Sequence, residues 1–526
     1  MPTLQSVFPS RSPDPAIIVP ATGSTGPVVV SFDTLSKLVG QARKFIASLD
    51  LAPGSAIAIA LPNSLEFVVL FFAVSYSGYI AAPLNPALKQ SEFEFYLADL
   101  SCPVAFVPKT AEREAVIKAA AKSADNVRIF ELEASTESIN VKTGAGESVG
   151  LGSLQSKSVS EAKADDVALV LHTSGTTGRP KIVPLTHTNL ATSISNIVQT
   201  YKLTKADRSM LVMPLFHVHG LLCGFLAPLS VASGVIVPLK FSAHSFWKDF
   251  VELGANWYTA VPTIHQILLK SPSPFDNGAK GPNVRFIRSC SSALAPATMK
   301  QLEERFKAPV LEAYAMTEAS HQMTSNDLPP GKRKSGSVGR AQGVVKVAIL
   351  DQEGNEVKQG GEGEICVKGA NVTKGYRNNE AANKSSFTAS GFFRTGDQGK
   401  LDADGFVYIT GRIKELINRG GEKISPLELD ALMLEIPEVA EAVSFAVPDE
   451  MYGQEVHATV VVKPGAKLSE GDVKKFMSER VAKFKVPKRV YFTETMPKTA
   501  TGKIQRKNIS ETFFKPEGEV KAKAKL

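Results

Sequence analysis

The sequence predicts an α/β protein of more than one domain, and three observations predict it. At 526 residues the chain exceeds what a single hydrophobic core usually holds. Within residues 1–165, short apolar runs such as Ala56–Leu61 alternate with helical stretches such as Ser64–Tyr76 and Ser91–Asp99, the pattern of layered sheets and helices. A composition of 43% hydrophobic and 21% charged residues is that of an ordinary globular chain.

Taken in order, Met1–Ser12 has no apolar core and does not read as a secretory signal. Phe67–Ala82 is uncharged but falls short of the ~20 residues a membrane span needs. Ser209–Leu239 carries no Lys, Arg, Asp or Glu, yet Pro214, Pro228 and Pro238 break it into short pieces. Both read as buried strand and helix, so no membrane span is expected. Ala134–Ala164, rich in Ser, Thr, Gly and Lys, reads as a surface loop. The four cysteines, Cys102, Cys223, Cys290 and Cys366, lie far apart with no metal-ligand spacing, which fits buried free thiols in a reducing compartment. No internal repeat is visible.

The densest chemical signal is Thr173-Ser-Gly-Thr-Thr-Gly-Arg-Pro-Lys181. Val167–Leu171 before it reads as a buried strand, and Thr188–Gln199 after it as a polar-capped helix. Gly175 and Gly178 permit backbone that a side chain forbids. The loop N–H groups and the hydroxyls of Thr173, Ser174, Thr176 and Thr177 can donate to phosphate oxygens, and Lys181 adds a full charge. It is not a Walker A loop, because Arg179-Pro180 separates Gly178 from the lysine. A plain Ser/Thr/Gly surface loop has a similar composition, so the remaining parts of a site must be sought elsewhere.

Four further stretches carry candidate groups. In Pro214-Leu-Phe-His-Val-His-Gly220, His217 and His219 fall on one side if the segment is a strand. No carboxylate lies nearby in sequence, and a metal site is not expected. Val284–Pro296 reads as a strand running into a small-residue turn. Alternation places Ser289 and Ser291 on one face and Arg288 and Cys290 on the other, so Arg288 and Ser289 are not expected to line one pocket. If Leu311–His321 makes a helical turn, Thr317 and His321 share a side. Gly391–Asp397 and Gly405–Arg412 read as a hairpin whose ends carry Asp397 and Arg412, a carboxylate and a guanidinium able to meet ribose or phosphate oxygens.

Together with Pro497-Lys-Thr-Ala-Thr-Gly-Lys-Ile-Gln-Arg506 near the end, these motifs, in this order, resemble the adenylate-forming superfamily of acyl-CoA synthetases, luciferases and non-ribosomal adenylation domains. The resemblance runs from about residue 20 to 515. It implies a large N-terminal domain of layered α/β sheets with a β-barrel-like subdomain over 1–411, and a small mobile α+β domain over 412–515. Residues 516–526 are left as a disordered tail. It implies ATP, Mg²⁺ and coenzyme A as reactants or cofactors.

Site roles follow from the same resemblance. Thr173–Lys181 is the phosphate loop. Ser291 and Ser292 replace a Gly/Ala-rich adenine turn, Tyr314 faces the adenine, and Thr317 meets the α-phosphate. Glu318 ligates Mg²⁺, Asp397 and Arg412 hold the ribose, and Lys503 is the catalytic amine. Lys414 is the hinge, and Gly420 and Gly421 let pantetheine pass. Ala315 stands where the family usually has glycine.

Within the superfamily the chain resembles the oxalate–CoA ligases most, through Phe216–Gly220, Arg288-Ser-Cys-Ser, Met316–His321 and Ile413–Pro426. A pocket of His217, His219, Ser289 and His321 would suit a short acid with a second carboxylate. Medium-chain or coumarate-like ligases are the alternative, and a luciferase-like oxygenase shares the same motifs. Outside the class stands a non-catalytic nucleotide or RNA binder. From Lys463 onward there are 17 Lys or Arg against 7 Asp or Glu. Aromatics do not interleave with these basics, so nucleic acid is not the expected partner. A basic module closing over an anionic nucleotide or coenzyme accounts for them better. The terminal Ala524-Lys-Leu526 is similar to a peroxisomal address, which points to an import receptor and the peroxisomal matrix, with the cytosol as a second location.

Overall fold

The computed structural model describes residues 2–9, 11–21, 25–123, 126–153, 161–173, 180–276, 281–499 and 504–514. Ser174, Gly175, Thr176, Thr177, Gly178, Lys503 and the terminal Ala524–Leu526 lie outside the described residues.

Two large sheets face each other. The nine-stranded sheet runs in the order Arg340–Ala341, His321–Ser325, Val310–Met316, Phe286–Ser289, Trp257–Ala260, Arg208–Leu211, Gly234–Ile236, Pro15–Val19, Val28–Ser31. Its interior pairs are parallel, and antiparallel strands close both ends. The eight-stranded sheet runs in the order Lys181–Thr186, Val167–Thr173, Ile80–Pro83, Ala56–Ile59, Val104–Phe106, Arg128–Ala134, Ile139–Thr143, Ser148–Val149. Strands such as Ala56–Ile59 are apolar throughout because both faces are covered, as parallel sheets require.

What covers them is the helix Leu65–Tyr76, capped by the Ser64 hydroxyl on Phe67 N–H. Its residues from Phe67 to Ser75 are all buried, and a helix apolar on every side belongs inside a core. It shares one hydrophobic cluster with Ile57 and Val104 of one sheet and Leu211 and Trp257 of the other. This accounts for the uncharged Phe67–Ala82 run, and no helix among the described residues is long and apolar enough to cross a membrane. All four cysteines are free and buried.

Two readings change. Residues after Ala134 are not one long loop: strands Ile139–Thr143 and Ser148–Val149 extend the eight-stranded sheet as an antiparallel meander. Between the phosphate loop and the helix lies a further strand, Lys181–Thr186, antiparallel to Val167–Thr173. The helix begins at His187, one residue after its capping residue Thr186. The Thr186 hydroxyl accepts from Asn189 N–H (3.2 Å) while the Asn189 side chain accepts from Thr186 N–H (2.9 Å).

A four-stranded antiparallel sheet, Lys346–Leu350, Gly363–Lys368, Phe393–Leu401 and Val407–Arg412, forms the β-rich part. Beyond Arg412 a five-stranded sheet with helices Pro426–Met433, Glu470–Ser478 and Arg506–Phe513 has its own apolar clusters. One is built around Ile417, Leu429, Val456 and Val460, another around Phe445 and Ile509.

Candidate active site

The helix His187–Tyr201 anchors the candidate site. Its apolar side, including Leu190, Ile194 and Ile197, is in the core. Its buried polar residues hold the chain opposite: Asn189 Nδ2 donates to the carbonyls of Ala370 (2.8 Å) and Val372 (3.1 Å), and Ser193 Oγ to that of Ser320 (2.5 Å). Segments 370–377 and 317–321 are thereby tied to this helix, and the first also to the strand Lys181–Thr186, where Thr373 Oγ1 donates to the Pro184 carbonyl at 2.7 Å.

Thr173 and Lys181, which flank the phosphate loop in the sequence, are cross-strand partners. Lys181 Nζ lies 4.6 Å from the ring centre of Tyr376, and the Tyr376 hydroxyl donates to Glu318 Oε1 at 2.8 Å. The backbone of Thr373 donates to the Glu318 carbonyl at 2.7 Å. Burial, and then the Glu318 charge, push the Tyr376 phenol upward, so it stays a donor. Tyr376 was not among the sequence candidates. It sits in a segment with no motif of its own, and only tertiary packing brings it to Glu318.

A second group joins three residues distant in sequence. Tyr314 donates from its hydroxyl to Asp397 Oδ2, and Arg412 Nε donates to Asp397 Oδ1 at 3.0 Å. Asp397 and Arg412 are partners across the antiparallel pair, which is why the hairpin reading brought them together. Burial, followed by the Asp397 charge, holds the Tyr314 phenol well above its usual range.

The third group is buried, with only Ser291 part-exposed. His219 Nδ1 is 3.0 Å from Ser291 Oγ and its Nε2 is 2.6 Å from Thr259 Oγ1. The His219 and His321 rings stack with centroids 5.2 Å apart and planes 23° from parallel. Arg288 reaches the same place, with Nη1 3.2 Å from Thr259 Oγ1.

Several expectations fail here. His217 and His219 are not on a strand. A turn leads into the π-helical segment His219–Leu226, and His217 Nδ1 instead accepts the backbone N–H of His219 at 3.2 Å. A Cβ at Gly220 would overlap the carbonyls of Met213 and Pro214, so only glycine lets this segment pack so close and bring His219 inward. Thr317 and His321 share no helical turn. Thr317 opens a 3₁₀ turn and His321 begins the next strand opposite Met316, with φ of +49° at Ser320 and +87° at His321.

Ser289 is buried with its hydroxyl unpartnered among the described residues, while Arg288 Nη1 is 3.5 Å from His219 Nε2. Alternation ends with the strand: Ser291, at φ +74°, turns its hydroxyl back to His219. Ser292 is exposed, its hydroxyl donating to the carbonyl of Ser291 at 2.8 Å. Lys414 lies in the exposed turn after Arg412, and Gly420 (φ +59°) and Gly421 (φ +97°) form the tip of the Ile417–Ile424 hairpin.

For a divalent cation the donor set fits one borne on nucleotide phosphates. Glu318 supplies a hard oxygen, its Oε2 carries no hydrogen bond among the described residues, and no group of three His, Cys, Asp or Glu among those residues could cage a metal without the nucleotide.

A family model described as AMP-binding enzyme matches residues 10–377, and one for the AMP-binding enzyme C-terminal domain matches 428–503. The chain belongs to the AMP-binding enzyme family. Among characterised AMP-binding enzymes, an oxalate–CoA ligase of Saccharomyces cerevisiae is 47% identical, with 96% of each chain covered. An oxalate–CoA ligase of Arabidopsis thaliana is 46% identical over 90% of this chain and 91% of that one. The ATP-bound structure of MatB from Rhodopseudomonas palustris superposes with a TM-score of 0.85 at 30% identity, covering 97% of this chain and 98% of that one. This AMP-binding enzyme therefore has the layered N-terminal part and small C-terminal part that its motifs imply.

Proposed function

We propose that the chain is an ATP-dependent oxalate–CoA ligase. An oxalate oxygen attacks the α-phosphorus of ATP, the bond to the bridging oxygen breaks, and oxalyl-AMP and pyrophosphate form. The CoA thiolate then attacks the acyl carbon, the carbon–oxygen bond to AMP breaks, and oxalyl-CoA and AMP leave. The observation that carries this reading is the likeness to two oxalate–CoA ligases over nine-tenths or more of each chain.

The cleft chemistry supports it. A carboxylate is a weak nucleophile approaching an anionic phosphate, so positive charge and fixed donors must stand where negative charge gathers. Lys181 and the phosphate-loop N–H groups serve that purpose, with Lys503 completing the set from the C-terminal domain. When bound, Mg²⁺ supplies Lewis-acid polarisation of the phosphates, with Glu318 as its protein ligand and Tyr376 orienting that carboxylate. Thr317 donates to the α-phosphate, Tyr314 lies along the adenine, and Asp397 with Arg412 takes the ribose. Gly420 and Gly421 admit the pantetheine arm of CoA once the domain turns about Lys414.

The inner end of the cleft selects the acid. The Ser291 hydroxyl, backed by His219 with the His321 ring stacked upon it, meets the second carboxylate, whose burial without donors would be prohibitive. A fatty or aromatic acyl group would leave those polar atoms unpaired.

Pyrophosphate release measured with ATP, CoA and oxalate, malonate, coumarate or octanoate tests the assignment. Oxalate is expected to give the largest kcat/KM. A lead for coumarate or octanoate would transfer the chain to the aromatic or medium-chain ligases.

A further inference from the structure

Arg288 is a fully buried cation for which neither half-reaction, as written above, has a use. It lies on the strand Phe286–Ser289, within the parallel part of the nine-stranded sheet. Its Nε donates to the Tyr201 hydroxyl at 2.6 Å, Nη1 to Thr259 Oγ1 at 3.2 Å and Nη2 to Gln322 Oε1 at 3.2 Å, and Nη1 is also 3.5 Å from His219 Nε2. None of these partners is a carboxylate. All three guanidinium nitrogens meet neutral acceptors, while the charge itself has no carboxylate counter-ion among the described residues, a costly state for a buried ion.

The hydrogen-bond directions follow from what each group can do. Arginine only donates, so Thr259 Oγ1 accepts from it. His219 Nε2 is 3.5 Å from the Arg288 Nη1 donor, where a lone pair is favoured over a second N–H facing a buried cation; with Nε2 as acceptor, the Thr259 hydroxyl donates to it across 2.6 Å. The imidazole proton then resides on Nδ1 and is donated to Ser291 Oγ at 3.0 Å. With its oxygen occupied by that donor, the hydroxyl proton of half-buried Ser291 is left for the cleft. The chain Arg288–Thr259–His219–Ser291 thus has one polarity, from a buried positive charge to a donor on the acyl pocket.

We propose that Arg288 is a positioning residue that sets acid specificity: through Thr259 and His219 it fixes Ser291 as a donor, and its charge is balanced only when an acid carrying a second carboxylate fills the pocket. This rests on the short-diacid reading of the site and adds the source of its selectivity. At low effective dielectric such a charge acts beyond direct contact, favouring a dianion over a neutral-ended acid of the same size.

The test compares oxalate with oxamate, in which a neutral amide replaces one carboxylate, across Thr259→Val, Thr259→Ser and Arg288→Met. Thr259→Val is expected to raise KM for oxalate about tenfold or more, with KM for ATP held within about twofold. The preference for oxalate over oxamate should collapse, and Thr259→Ser, which keeps the hydroxyl, should restore it. Arg288→Met should match the valine variant; if it does not fold, the two Thr259 variants decide the matter. An oxalate preference unmoved by Thr259→Val, a parallel rise in KM for ATP, or a serine variant as poor as the valine one would overturn the relay. Wild-type enzyme that leaves oxalate unused would defeat the diacid reading itself, whereas oxalate turnover with an unmoved preference defeats the relay alone.

Discussion

Tyr376 illustrates how a side chain acquires a role from neighbours far away in the sequence. Its ring lies under Lys181 and its hydroxyl holds Glu318, so one residue spaces a cation from a carboxylate. Tyr376→Phe keeps the ring beneath Lys181 and removes only the hydrogen bond. Single-turnover pyrophosphate release should slow roughly tenfold, the loss expected for a hydrogen bond to a charged group; an unchanged rate would show that Glu318 orients itself. Single residues were legible where a motif supplied the spacing. Asp397 and Arg412 meet because a two-strand hairpin could be read between them. Ser289 and Ser291 were not, because alternation holds only while the strand continues. The positive φ at Ser291 was not written in a Cys-Ser-Ser run, where glycine would have announced it.

Among elements, the phosphate loop is the instructive case. The strand Lys181–Thr186 contains Pro184, which argues against a strand in a sheet interior. It is tolerated because this strand is the edge of the eight-stranded sheet, where a missing N–H need not break a ladder. The strand Val310–Met316 carries a second consequence. Burial raises the Glu312 carboxyl from its ordinary value near 4.5 to about 7, although backbone donors at Leu294 and Gly336 oppose the shift. Between those two values the folded chain binds more protons than the unfolded chain, so this group's contribution to stability falls as pH rises. Glu312→Gln removes that loss. Its melting midpoint relative to wild type should rise between about pH 5 and about pH 8, and a gap independent of pH would contradict the assignment.

At the level of the whole molecule, two sheets closed over the helix Leu65–Tyr76 account for an apolar run that is neither a membrane span nor an exposed surface. That architecture was legible from alternating apolar and helical stretches because burial on both faces leaves its mark on composition. The arrangement of the inner cleft was not, since Arg288, Thr259 and His219 come from three separate segments joined only by parallel pairing and a π-helical turn. In the C-terminal part, Arg506 ties the last described helix to Glu415 (3.2 Å) and Asp430 (2.9 Å), next to the turn that holds Lys414. Lys498 and Ile504 form an isolated antiparallel bridge just before that helix.

The central claim is that oxalate is activated as an acyl-adenylate before CoA takes part, and ATP–pyrophosphate exchange without CoA tests it most directly. Wild-type enzyme should show oxalate-dependent exchange. Lys503→Ala should lose it while still forming oxalyl-CoA from supplied oxalyl-AMP. Exchange that ignores oxalate in the wild type, or equal loss of both half-reactions in the lysine variant, would contradict the account.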